Sequence, residues 1–519
     1  MPHYADRRFA FTSLTVLAFV LLLSCPLPVA GKKKGRRKSN PQARAEQYVL
    51  TQLKRGEAAD LIAAFPGSDE AKRAISTAFL KRLLTNSVGG LRLSPPGVRI
   101  RGAVLNEPLE LTSEKIPYSV SLVSCKFNQK VAFFHVSVAG DLNISNDFQT
   151  FDTDDRRRRG DPGSEFNGQA LFINVSIDGD LEAHKARFKW QPPSPAQCQE
   201  AVSRCDAADF EEVKVTNDAY FTDAIFMGPA DFEGAHFQQV FFAQRADFRS
   251  IANFVDVRVT DDANFNEATF GSSVDFTRAR IENKFDIGNV NFTAQNGAVS
   301  FQDLSAGQLA LNGATEFAGG AQLGGMTYRR ITAADPERND ERAWGYWQAI
   351  LNKSAYQVDA YATLEEFFQK QGRVNRANDV YIQRRKIEAN DALVRARLSY
   401  PFIWIWHLLV RDIVGYGRRT WYAFLWSVVV IVAGCGLFLK RWMDWQADDN
   451  FKLTGTREPP YSKFWYSLAV FLPVVELPLS NLWLPRRDKK WLWWYMHIHA
   501  LLGWLFISIG LASLTGIIK

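Results

Sequence analysis

Between residues 219 and 292 apolar side chains recur every eleven residues in two interleaved series. One runs Phe221, Phe232, Ala243, Phe254, Phe265, Phe276, Ile287; the other, offset by five, runs Phe226, Phe237, Phe248, Val259, Phe270, Ile281, Phe292. Two residues before each member sits a second apolar residue, most often alanine, as at Ala219, Ala224, Ala230 and Ala235. The unit is A-[DN]-F-x-x, as in "ADFEGAHF", with spacing alternating between five and six. Such a pattern matches neither the 3.6-residue period of a helix nor the two-residue period of a long strand. It fits a solenoid whose chain turns a corner every five or six residues. Each face sends one large and one small apolar side chain inward, with Asp, Asn and Gly at the corners. Stacked coils would pile the rings into a continuous axial core, which accounts for 38 Phe in 519 residues.

The same step extends backwards through Leu111, Leu122, Phe133, Ile144, Phe166, Ile177, Phe188 and Phe210. It breaks at "NDFQTFDTDDRRRRGDPGSEF" and "KWQPPSPAQCQEAVSRCDAADF", which read as loops thrown out from the coil. In these repeats the chain resembles the pentapeptide-repeat proteins. The resemblance covers about residues 97 to 317, is strongest over 219 to 292, and implies a mainly β fold wound as a right-handed, roughly square β-solenoid. The six-residue spacing at every second face departs from strictly square coils.

A solenoid end is an open sheet edge, so covers are expected at both ends. Residues 32 to 96 hold a basic linker followed by a helical N-terminal cap, and 318 to 410 a helical hairpin collar. In the collar, Leu364, Phe367 and Phe368 share one face, a turn follows near Gly372, and Ala377, Val380 and Tyr381 continue the pattern. Its basic run, including Arg384 and Arg385, reads as either a lipid-headgroup contact or a solvated face.

Residues 1 to 31 have the layout of a secretory signal, with Arg7 and Arg8, an apolar run and then small residues. The basic run "GKKKGRRK" that follows keeps an uncleaved signal anchor open. Residues 411 to 519 form the expected membrane domain. Two segments, 421 to 439 and 500 to 518, meet the length of a membrane span, and tryptophans flank them. Between them lies an apolar hairpin, 464 to 485, cut by Pro473 and Pro478. Span, broken hairpin, span is the outline of a two-helix channel pore. The whole order is similar to a group of bacterial pentapeptide-repeat membrane proteins with an ion-channel-like tail. That resemblance implies the bacterial inner membrane and a multi-pass chain.

The four letters Val414 to Gly417 match part of a potassium filter, but they precede the first span and run into Arg418 and Arg419, so they present no carbonyls between two spans. Arg418 and Arg419 read instead as a juxtamembrane anchor. Glu476, an acid in the broken apolar hairpin, is the candidate pore or membrane-polar residue; a place at the interface beside Pro478 is the other reading. Arg156, Arg157, Arg158 and Arg159 are candidate contacts for anionic or lipid groups, against the reading of a solvated loop. His497 and His499 are two apart, so on a helix they point away from each other and cannot share a metal; they read as interfacial. Cys198 and Cys205 can bridge only if their segment is a loop, because seven helical residues hold Cα atoms roughly 10 Å apart. Both redox states stay open.

Residues 97 to 320 carry 32 Asp and Glu against 20 Lys and Arg, while the whole chain is net +7, so the remainder is strongly basic. Positive charge beside apolar segments points to anionic membrane lipid rather than nucleic acid. No phosphate loop, nucleophile elbow, dinucleotide fingerprint or zinc-protease motif occurs, and no cofactor or metal is expected. The sequence therefore reads as a membrane-anchored β-solenoid of the cell envelope, its repeat domain on the exported side. It would bind or scaffold a protein or polysaccharide along its faces without catalysis, and the membrane domain offers a surface for homo-oligomerisation. The alternative is a channel without potassium selectivity, or a conductance regulator, using the segment around Glu476.

Overall fold

The computed structural model describes residues 40–87, 97–146, 163–192, 205–293, 299–334, 339–396, 421–445, 460–472 and 482–514. From Val98 onward the chain winds into a parallel β-solenoid of about nine coils, each with four faces. Two faces are separate sheets of nine and eight strands. The other two belong to one 17-stranded sheet, because strands Arg280–Asp286, Ser305–Leu311 and Thr327–Ala333 run round the corner between them. Most strands are two residues long, and each pairs with the residue one coil away, as Phe226 with Phe248 and Phe248 with Phe270, a step of 22 residues. All members of both eleven-residue series are buried, as are the residues two before them. The last strand lies beyond residue 317, where the sequence reading placed the start of the collar.

Parallel strands sit ~4.8 Å apart, which is also a favourable distance for offset ring stacks, so in-register phenylalanines form columns. One column runs through Phe127, Phe166, Phe188, Phe226, Phe248, Phe270, Phe292 and Phe317 with centroids 4.4–5.1 Å apart. A second runs through Phe172, Phe210, Phe232, Phe254, Phe276 and Phe301 at 4.7–5.5 Å. Between the two columns the rings meet edge to face, as Phe254 does with Phe248 and Phe270.

The alternation of five and six arises from two kinds of corner. At the tight corner two residues separate the inward positions: Phe221 and Ala224 enclose Thr222 and Asp223, and the Ala224 N–H donates to the Phe221 carbonyl at 3.0 Å. Asp223 has φ +58°, the positive third-position φ of a type II turn. From 212 to 289 every eleventh residue takes this conformation: Glu212, Asp223, Gly234, Arg245, Asp256, Glu267, Arg278 and Asn289. The wide corner has three residues, such as Met227 to Pro229 between Phe226 and Ala230. The Asp or Asn of the A-[DN]-F unit lies three residues before the tight corner's positive φ. Its side chain accepts the N–H two residues on: Asp231 from Glu233 at 2.8 Å, Asn253 from Val255 at 3.0 Å, Asp275 from Thr277 at 2.8 Å.

Both interruptions are long steps in an otherwise constant register. Phe127 pairs with Phe166, 39 residues on, and Phe188 with Phe226, 38 on. The expected continuity of phase from Ile144 to Phe166 is therefore a coincidence of loop length. Phe166 continues the column of Phe127, and the face of Ile144 continues through Leu181. Cys205 is disulfide-bonded to a partner outside the described residues, whereas Cys125 and Cys435 are free.

Helices Pro41–Lys54, Leu61–Ala64 and Thr77–Leu84 close the first coil. Ala59 and Asp60 pair with Ile100 and Arg101, which covers the strand edge, and Leu61, Phe79, Leu80 and Leu83 extend the solenoid core. At the other end, helices Asp340–Lys353, Val358–Lys370 and Val374–Ala396 pack on the last coil. Trp344 donates to the Ile331 carbonyl and Trp347 to the Tyr328 hydroxyl, both at 3.1 Å. Leu364, Phe367, Phe368, Ala377 and Val380 are buried there, with Gly372 at φ +70° in the turn. Arg384 pairs with Glu365 at 3.5 Å and Arg385 with Glu388 at 2.9 Å, so these two arginines are engaged within the collar rather than presented as a basic face.

Candidate functional site

The C-terminal segments form a second core of their own. Helices Trp421–Leu437, Lys463–Phe471 and Lys490–Leu514 pack together, and strands Met443–Trp445 and Trp483–Pro485 pair antiparallel. No helix, among the described residues, is long and apolar enough to cross a membrane. The helix Trp421–Leu437 has 17 residues, or about 26 Å at ~1.5 Å per residue, short of a hydrocarbon layer of ~30 Å. Lys490–Leu514 is longer, but its first half carries Lys490, Tyr495, His497 and His499, which dilute its apolar character. The two expected spans are therefore not found as such.

The polarity of this unit is inverted. Its buried interior holds Tyr466, Ser467 and His499. The Ser467 hydroxyl donates to the Ile431 carbonyl at 2.8 Å, and the Tyr466 hydroxyl to the Trp483 carbonyl at 3.1 Å. His499 Nε2 donates to the Ser467 carbonyl at 3.1 Å, while its Nδ1 accepts from the Tyr495 hydroxyl at 3.3 Å. The exterior is apolar: Phe424 is 73%, Val432 64%, Trp494 65% and Leu501 68% exposed. Soluble helices place apolar side chains inward and polar ones outward; here the three-helix contact does the reverse.

Glycines set how closely the helices approach. A Cβ on Gly434 would overlap the Ser467 hydroxyl, and one on Gly503 would overlap the Phe471 carbonyl. Close approach at small residues is how helices pack where burying apolar area supplies little drive. Backbone cannot yield as a side-chain tip can, so Gly503→Ala is expected to destabilise this unit by ~1–3 kcal/mol. Thermal unfolding followed by tryptophan fluorescence checks it, with the solenoid's far-ultraviolet signal unchanged.

Of the residues singled out from sequence, Arg156, Arg157, Arg158, Arg159, Arg418, Arg419 and Glu476 lie outside the described residues, as does Cys198. His497 and His499 do point apart. His497 is exposed and lies against the Trp493 ring with centroids 4.0 Å apart, but His499 is buried rather than interfacial, because Ser467 and Tyr495 satisfy both ring nitrogens. The role of Ser467 was not read from the sequence; the available signal was a lone hydroxyl inside the apolar run "FWYSLAVF".

On the solenoid, a cleft of about 440 Å³ separates the last coils from helix Asp340–Lys353, lined by Asn291, Asn312, Glu316, Tyr346 and Lys353 among others. Asn312 is spent on the corner itself, where its Oδ1 accepts from the Asn289 and Ala314 N–H groups. Among the described residues no group of three or more His, Cys, Asp or Glu is placed to hold a metal ion.

These features define a parallel β-solenoid of pentapeptide repeats, capped by helices and followed by an inverted-polarity helical unit. The chain carries pentapeptide repeats: the family model for them, with nine copies, matches residues 204–244. Comparison with curated proteins finds no match. Among solved structures, the chain is similar at 15% identity to HetL, a pentapeptide repeat protein involved in heterocyst differentiation regulation from the cyanobacterium Nostoc. That alignment covers 45% of this chain and 89% of HetL with a TM-score of 0.17.

Proposed function

We propose that the protein is a non-catalytic scaffold of the bacterial cell envelope, held at the inner membrane by its C-terminal helical unit and offering the solenoid faces to a protein or polysaccharide partner. The observation that carries this reading is the inverted polarity. Residues such as Phe424, Val432 and Leu501 face outward while Ser467 and His499 are sealed inside. In water that arrangement exposes a large apolar surface; against acyl chains it costs nothing, and interior hydroxyl and imidazole groups then act as pins. The disulfide at Cys205 supports an exported solenoid, since such bonds persist in oxidising compartments. A solenoid filled by phenylalanine columns leaves its chemistry on the outer faces, which favours binding over catalysis.

Flotation of the full-length protein with neutral phosphatidylcholine vesicles tests the attachment. The wild type is expected to float with the vesicles. A Phe424→Ser, Val432→Ser, Leu501→Ser variant, altered only on exposed positions, is expected to stay at the bottom of the gradient while keeping the solenoid's circular dichroism. Equal flotation of both would remove the apolar face from the account.

A further inference from the structure

The helical unit has one end unlike the rest. Helix Trp421–Leu437 finishes, and Lys490–Leu514 begins, at the paired strands Met443–Trp445 and Trp483–Pro485. The Arg486 N–H donates to the Trp442 carbonyl at 2.9 Å, and the Trp442 and Trp491 rings meet edge to face at 5.6 Å. This connection gathers Lys440, Arg441, Arg486, Arg487, Lys489 and Lys490 at one end. Among the described residues the acids there are Asp444 and Asp488. Asp488 lies between Arg486 at 3.3 Å and Lys489 at 3.9 Å, so it offsets only part of the charge. Tryptophans are interleaved with the cations: the Arg441 guanidinium lies 4.7 Å from the Trp442 ring and the Lys440 ammonium 5.6 Å from Trp483, while Trp491, Trp493 and Trp494 are exposed.

Resting on the lipid attachment proposed above, we infer that this end is a binding surface for anionic phospholipid headgroups, with the apolar helix faces directed into the acyl layer beneath it. Tryptophan favours the depth where ring and indole N–H meet carbonyl and headgroup, and Lys and Arg reach from there to phosphate. The charge complements an anionic leaflet, where each basic residue near the surface adds about five-fold in affinity at low salt. A neutral protein partner would leave these cations without counter-charge. The excess of positive charge at this end also directs it towards the cytosol under the positive-inside rule.

The test compares flotation on neutral phosphatidylcholine vesicles with flotation on vesicles containing 30% phosphatidylglycerol (about a third anionic lipid, as in a strongly charged leaflet). The expected result is at least ten-fold tighter binding to the anionic vesicles. That gain should vanish at about 0.5 M salt, where charges are screened over a few ångströms. An Arg441→Gln, Arg487→Gln, Lys490→Gln variant should lose the gain and still bind neutral vesicles as the wild type does, which shows that its fold is intact. Asp444→Lys, at an exposed position, should bind anionic vesicles several-fold tighter. Equal binding to both vesicle types, with full neutral-vesicle flotation, overturns the headgroup surface and leaves the lipid attachment standing. Binding to neither overturns both.

Discussion

Phe254→Ala is expected to destabilise the solenoid by ~3–5 kcal/mol, the range for deleting a fully buried ring. Phe254 is 1% exposed and sits mid-column, stacked on Phe232 at 4.9 Å and Phe276 at 4.7 Å. Its edges meet Phe241, Phe248, Phe265 and Phe270 at 5.4–6.4 Å. Six aromatic neighbours lose a partner at once, and stacked two-residue strands have few routes to collapse into the void. A typical domain has only ~5–15 kcal/mol to lose. Because each coil touches only its neighbours, the loss is local at first. Amide exchange should accelerate in the coils around 230 to 280 before it does near the N-terminal cap. A uniform rise along the solenoid, or a loss under ~1 kcal/mol, would contradict the continuous axial core.

The second large effect concerns pH. Asp231 lies between Asp209 and Asn253 in the same ladder of strands. Burial pushes its carboxyl up to about 7, with Asp206, Asp209 and Glu233 adding like charge; the hydrogen bond from the Glu233 N–H opposes these without cancelling them. The folded carboxyl holds its proton more tightly than the unfolded one. Its contribution is therefore fully present below about pH 4 and is lost as pH rises through 7. Asp231→Asn keeps an oxygen that can accept the Glu233 N–H, as Asn253 does one coil on, and cannot ionise. A shift of about three units bounds the gain near ~4 kcal/mol; partial exposure and solvent screening reduce it to ~1–2 kcal/mol. The variant should match the wild type at pH 4 in urea unfolding and exceed it at pH 8. Equal stability at both pH values would contradict the assignment.

The solenoid was legible because its inward positions are chemically uniform: a ring at Phe221 or Phe226, a small residue two before. The corners were less so. The positive-φ site is filled by Asp223, Arg245, Glu267 and Arg278, which share a conformation and no side-chain type, so no glycine signal marks them. The two loops misled for an arithmetical reason. They lengthen the steps from 22 to 39 and 38 residues, and each increment moves the chain by half an eleven-residue unit, so one series hands over to the other without an audible break in the sequence. At the C-terminal end, hydropathy located the helices but not their relation. That Ser467 and His499 meet across Gly434 depends on three segments separated by more than thirty residues each. Glu476, on which the conducting alternative rests, lies outside the described residues.

The most direct test of the account is to ask what touches Leu501. A single cysteine placed there, and another at Ile251, exposed on the solenoid, would each carry an environment-sensitive fluorophore in full-length protein bound to vesicles. The account expects the Leu501 label to shift to the blue and to be quenched by lipids brominated along the acyl chain, while the Ile251 label stays in water and is not quenched. A Leu501 label that remains in water, or is shielded without quenching by brominated chains, would place solvent or a second protein against the helices and contradict the lipid-held scaffold.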